Sequence, residues 1–439
     1  MLAMLIWVPA LATAILLILV GQTIGGILVA GLALMVHTMF RPHIAVYALI
    51  AAIPLEWLVS LLPGVATLTK LLGLFALLVT LPRLITATLP THWDRSGRWM
   101  LLLILWALVS CFWAPVPMTG LRAWQSFALR WGIAVLICLQ LPTAKRQRMG
   151  MLIFVGACAL ASLAFIASYD ARTIASGSSR ENLTNLVGQE VEESGSLNLQ
   201  SRYTAVGVAC ALFLMLSGRR GLGRFLLLGA IPLLAIAVVL LKGRAVYLGL
   251  PFSLLAGVMF LRGAGVGRRT LLLTLIIVAG GLSALTVTRL GFFGEGIVER
   301  FASISETGLE AGGRLDKWRT HALAFAHSYG LGVGNNQMTT GLVEGSYMVA
   351  HNDWFSIAGE LGLIGLTLFA SFHFSLYLRI RGLQRAWPKA FCLVVWFLML
   401  FTGLTEDDYV TKYYALGTGL VIAMLRAEES HAGIGVAAT

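Results

Sequence analysis

Apolar runs of about 20 residues, the length that crosses roughly 30 Å of hydrocarbon as a helix, recur along this chain between short polar turns. They begin near residues 2, 22, 43, 66, 99, 121, 149, 200, 222, 245, 269, 354, 389 and 409, about fourteen segments whose limits are good to a few residues. Two polar stretches exceed a turn, at roughly 169–199 and 290–353. Within the second, Leu315, Trp318, Ala322 and Phe325 recur at helical spacing while Arg314, Lys317 and His321 share another side, which predicts an amphipathic helix lying on the outer surface. The pattern as a whole predicts an all-α polytopic membrane protein with a long, partly helical loop.

Composition agrees and excludes other classes. Of 439 residues, 58% are hydrophobic and 12% charged, with a mean hydropathy of +0.85, a balance that a water-soluble domain does not carry. The net charge of +12 sits in short clusters between apolar runs, so it reports topology and implies no nucleic-acid partner. Cys111, Cys138, Cys158, Cys210 and Cys392 all fall inside apolar runs, where a thiol acts as a small hydrophobe; neither a disulfide framework nor a zinc site is expected. Met1 to Val20 lacks a basic leader region and reads as a retained first helix.

Lys and Arg favour cytoplasmic loops. Arg41, the Arg83–Arg98 group, Lys145 to Arg148, Arg219 to Arg224, Arg262 to Arg269, Arg379 to Lys389 and Arg426 all fall on alternate turns. That places both termini inside and both long loops outside, which in a bacterial inner membrane would be the periplasm. The second loop carries four bases (Arg300, Arg314, Lys317, Arg319) against seven acids (Glu295, Glu299, Glu306, Glu310, Asp316, Glu344, Asp353). Three regions follow: an N-terminal transmembrane bundle over 1–289 with its short loop at 169–199, a periplasmic catalytic loop over 290–353, and C-terminal helices with a cytoplasmic tail over 354–439.

Bases on the outer side oppose the insertion bias and ask for a reason. They are Arg122, Arg130, Arg202, Lys242, Arg244, Arg289 and the loop bases. Snorkelling to headgroups accounts for a basic residue at a helix end. Arg130 lies about two turns inside its segment and needs a polar cavity or partner. Lys242 and Arg244 flank Gly243 in a short turn, and an arginine fork suits phosphate oxygens.

His351 stands at the entrance of the segment near 354, beside Asn352 and Asp353. An imidazole there can take a proton from an incoming hydroxyl, although a lone histidine is more often structural. His321 and His327 lack the i, i+4 spacing of a helical zinc pair, so no metal is expected. Glu406 to Asp408 could hold a cation near the surface, but reads first as a solvated acidic turn.

Arg314, the Gly332-Val-Gly334 element and His351 followed after ten residues by Gly362, with Gly365 beyond, together resemble the O-antigen ligase family, which shares a domain with O-antigen polymerases. Lys242-Gly-Arg244 resembles that family's Ser-Arg-Gly element but departs at its flanking positions. Arg314 followed after fifteen residues by Gly330 is similar to the polymerase spacing. The resemblance covers about residues 240–366, and the family's usual twelve helices set the expectation at about 12–14.

The resemblance implies transfer of an O-antigen glycan from an undecaprenyl-diphosphate donor to a sugar hydroxyl of a lipid A-core acceptor, without a cofactor and with membrane lipid as surroundings. His351 and Arg314 are the expected catalytic pair. Arg244, Arg289, Arg202, Lys242 and Arg130 are expected around the diphosphate, supported by Arg319, Lys317, Asn352 and Glu360. With no evident nucleophilic carboxylate the transfer inverts the anomeric centre; Glu360, two turns below His351, is the residue that would upset this. The alternatives are a polymerase or protein O-oligosaccharyltransferase of the same superfamily, or a lipid-linked oligosaccharide flippase, whose charges belong nearer the bilayer midplane.

Overall fold

The computed structural model describes residues 38, 41–59, 68–86, 95–168, 197–217, 222–241, 244–259, 314–343 and 349–431. These form twelve α-helices and no strand. They are α1 (His43–Val59), α2 (Leu68–Thr86), α3 (Arg95–Val109), α4 (Pro117–Gln140), α5 (Ala144–Ser168), α6 (Leu197–Leu216), α7 (Leu222–Leu240), α8 (Arg244–Met259), α9 (Arg314–His327), α10 (Asp353–Gly382), α11 (Ala386–Gly403) and α12 (Lys412–His431). Eleven of them begin within a few residues of an expected apolar segment, and α9 is the expected loop helix. The segments expected near residues 2, 22 and 269 lie outside the described residues.

Among the described residues, four helices are long and apolar enough to cross a membrane, over Ala144–Ile166, Asn198–Leu216, Asp353–Gly382 and Ala386–Gly403, and five shorter apolar helices accompany them. The chain is an all-α, multi-pass membrane protein. Leu74, Leu78, Leu102, Leu105, Leu160 and Leu163 are exposed, as expected where hydrocarbon is the solvent. Burial then gives helices little net drive to associate, and close van der Waals contact between them takes over. Glycine permits it: a Cβ at Gly257 of α8 would lie 2.5 Å from Val394 of α11, and one at Gly419 of α12 would lie 3.0 Å from the Ala134 backbone of α4.

Helices from the two ends of the chain interleave. α10 packs on α3, α12 on α4, and α11 on α8, while α9 lies against α10. Between α4, α10 and α12, Trp131 meets Phe372 and Tyr414 edge-on, with ring centroids 5.7 and 5.9 Å apart. Edge-to-face contacts of this kind suit the ring quadrupole. One end of α10 and α12 carries the ion pairs Arg379–Glu429 and Arg385–Glu428, at 2.8 and 2.9 Å. The other end carries His351, Asp353 and Lys412.

α10 is broken near that second end. Gly362 adopts φ 68° and ψ −164°, which frees carbonyls that a straight helix would use. The segment after α9 takes them up. Val333 N donates to Gly359 O at 3.0 Å, Gly334 N to Glu360 O at 2.9 Å, and Leu363 N returns a bond to Gly330 O at 2.8 Å. The Trp106 indole donates to Leu361 O at 2.8 Å. The break is thus a docking place for the 330–337 backbone.

Candidate functional site

The site forms where the chain enters α10. Asn352 is the N-cap, its side-chain oxygen accepting from the Trp354 and Phe355 amides, and such a cap satisfies donors that the first turn leaves open. Two carboxylates then clamp this entrance and the α11–α12 turn to each other. Asp407 accepts from the His351 and Asn352 amides, both at 3.2 Å, and from the Ser356 hydroxyl. Asp353 accepts from the Asp408 and Tyr409 amides, at 2.5 and 3.1 Å.

Between those clamps His351 takes φ 52°, a left-handed conformation that costs a non-glycine residue roughly 1–3 kcal/mol unless its surroundings impose it. The turn aims the ring at the α11–α12 loop, where Nδ1 lies 2.9 Å from Glu406 Oε2. Because a carboxylate only accepts, a neutral imidazole in this place would carry its proton on Nδ1 and leave Nε2 its lone pair. The His351 side chain is 36% exposed, and among the described residues Nε2 has no protein hydrogen bond.

Glu406 is itself held. Asn198 Nδ2 donates to its Oε1 at 3.2 Å and Arg202 stands 3.7 Å from the same oxygen. Arg202 is only 5% exposed, and its other arm pairs with the fully buried Asp408. Burial raises the Glu406 carboxyl, but the bond to His351 and the charge of Arg202 outweigh it, and the group sits below its ordinary value. For Asp408 burial prevails over Arg202, lifting it above the usual carboxylate range.

α9 brings the basic residues to this entrance. The Trp318 indole donates to Ala350 O at 3.1 Å and stacks on Phe355 at 5.3 Å, tying the helix to the residue before His351. Arg314, at the start of α9, is near enough for its charge to act on Glu406. Lys317 is half-buried and Arg319 exposed. The arrangement offers an imidazole, a carboxylate behind it and cations on the adjoining helix.

Residues 205–370 match the family model described as O-antigen ligase. That segment carries the O-antigen ligase domain. A comparison with curated proteins found no match. Members of the family are membrane glycosyltransferase-like enzymes. The O-antigen ligase segment contains Arg314, His351, Glu360 and Gly362; Arg130, Arg202 and Glu406 lie outside it.

Several of the expected site residues find partners within the protein. Arg202, expected at a diphosphate, is spent on Asp408 and Glu406. Arg130 does find a polar partner, but that partner is Val410 O at 2.6 Å, at the foot of the acidic turn. Glu360 is no free carboxylate: it is buried and accepts from Asn336 N at 2.8 Å, fixing the 330–337 segment. Asn352 supports the site as a cap.

The apolar face of α9 is also rotated from its expected position. His321 and Ala324 are buried, whereas Leu315 and Ala322 are exposed. His321 packs where Gly359 leaves room, 3.1 Å from a Cβ placed there, and bonds Lys317 O at 2.8 Å. Burial holds its pKa below the ordinary imidazole value. The acidic turn is the largest departure, since Asp408 is buried and each of the three carboxylates bonds the entrance to α10 or its neighbours. Lys242 and Arg289 lie outside the described residues, as does the side chain of Arg244.

Proposed function

We propose that this chain is an inverting, metal-independent glycosyltransferase that moves an O-antigen glycan from undecaprenyl diphosphate onto a sugar hydroxyl of lipid A-core, at the periplasmic face of the bacterial inner membrane. The observation that carries the reading is the half-exposed His351 backed by Glu406 and flanked by the basic start of α9.

In the transfer, His351 Nε2 accepts the proton of the acceptor hydroxyl as that oxygen bonds to the anomeric carbon. The bond from that carbon to the diphosphate oxygen breaks, and its electron pair leaves with undecaprenyl diphosphate. A glycosyl diphosphate already has a good leaving group, so the main demands are a base and cations for the departing charge. Arg314 supplies one cation, with Lys317 and Arg319 on the same helix. Lys242, Arg244 and Arg289 complete the set in this reading. Attack from the face opposite the leaving group inverts the centre; in this reading Glu360, buried and bonded to Asn336 N, anchors the 330–337 segment instead of attacking the sugar.

The test is reconstitution of purified protein with undecaprenyl-diphosphate glycan and either lipid A-core or free glycan as acceptor, with and without chelator. Transfer to lipid A-core with inverted configuration and no loss on chelation is expected. Extension of glycan alone would make the protein a polymerase, and full turnover by His351→Ala would remove the base.

A further inference from the structure

We infer that Glu406 is the positioning residue for His351, holding the imidazole as the Nδ1–H tautomer with Nε2 turned outward, and that Arg202 braces Glu406 in that role. The inference rests on His351 being the base.

The geometry leaves Glu406 little freedom. Oε2 faces His351 Nδ1 at 2.9 Å, while Oε1 is met by Asn198 at 3.2 Å and Arg202 at 3.7 Å. Arg202 cannot swing away, because Asp408 holds its NH1 and the Asp408 amide is tied to Asp353 at 2.5 Å. The ring is therefore braced against α6, α10 and the α11–α12 turn together. A carboxylate in this place does two things: it selects the tautomer that frees Nε2, and it stabilises the imidazolium that forms when Nε2 takes a proton. The charged groups facing the pair are Arg202 from α6, Arg314 from α9, Asp353 from α10, and Asp407 and Asp408 from the same turn. The two arginines favour an ionised Glu406.

A merely structural Glu406, anchoring the turn through Asn198, would make different demands. Glu406→Gln keeps the size and the bond to Asn198 but cannot stabilise an imidazolium. We expect it to lower kcat by roughly 10²- to 10⁴-fold, the scale seen when the orienting carboxylate of a histidine base is neutralised, with donor KM changed less than about threefold. Glu406→Asp, which keeps the charge, should recover part of kcat.

A second measurement needs no turnover: ring ¹⁵N shifts of the labelled protein in liposomes, with the His351 signals assigned by their loss in His351→Asn. Nδ1–H is expected for His351 in the unaltered protein. Finding Nε2–H there would overturn the inference whatever the variants do. So would Glu406→Gln retaining kcat within about twofold while His351→Ala is inactive. Full activity of His351→Ala would instead overturn the base assignment itself.

Discussion

Gly362 lies so close to Leu331 that a Cβ on the glycine would stand 2.3 Å from the Leu331 carbonyl carbon and oxygen. The glycine separated from His351 by ten residues is thus the point where α10 opens and another backbone takes up its free groups. Its φ of 68° adds a conformational demand to the spatial one.

Gly362→Ala should therefore damage the site rather than the membrane bundle. The backbone conformation alone costs roughly 1–3 kcal/mol for a non-glycine residue, and the clash adds to it. Faster limited proteolysis within 328–343, together with lost transfer, is the expected result. An alanine variant with unchanged cleavage and turnover would contradict the docking role.

Arg202 and Asp408 should behave as a pair. Removing one partner of a buried ion pair typically costs about 3–5 kcal/mol, because the other charge is left uncompensated. Arg202→Met should lower the thermal midpoint of the detergent-solubilised protein more than the double variant with Asp408→Asn. Additive losses would show that the two charges do not compensate each other.

Glu406 should contribute a distinct acid limb. Its folded pKa lies below its ordinary value of 4.5, so the unfolded chain binds the proton more readily. The stabilisation is fully present above about pH 4.5 and is lost as pH falls through the folded pKa. Subtracting the midpoint-against-pH curve of Glu406→Gln from that of the unaltered protein should leave a difference that shrinks as pH falls below about 4.5. A pH-independent difference would mean that the carboxylate's charge is not what matters.

Trp318 separates stacking from hydrogen bonding. Trp318→Phe keeps an aromatic ring on Phe355 but removes the donor to Ala350 O, a loss of about 0.5–1.5 kcal/mol. Trp318→Ala removes both, with a further ~0.5–1.5 kcal/mol for the aromatic pair. Graded losses of transfer, phenylalanine milder than alanine, are expected in the reconstituted assay. Equal losses would place the whole effect on the hydrogen bond.

What was legible beforehand follows from local physics. Helix starts came within a few residues because hydrocarbon thickness sets segment length. α9 was visible in its periodicity, and Arg314, His351 and Gly362 stood out because their order and spacing resemble the O-antigen ligase motif. The burial of His321 was missed because Gly359, 38 residues further on, makes the groove that receives it.

The sequence by itself determined that this is an all-α membrane protein, since length, hydropathy and charge act residue by residue, and it singled out Arg314 and His351 as candidate site residues. Only the tertiary structure decided what the acids do. Glu406, Asp407 and Asp408 read as a solvated turn because the bases and amides that they bind are 50 to about 200 residues away. An arginine waiting for phosphate and one already paired with a buried carboxylate look alike in a string; helix packing distinguishes them by bringing Arg202, Asp408, Glu406 and His351 to one end of the bundle.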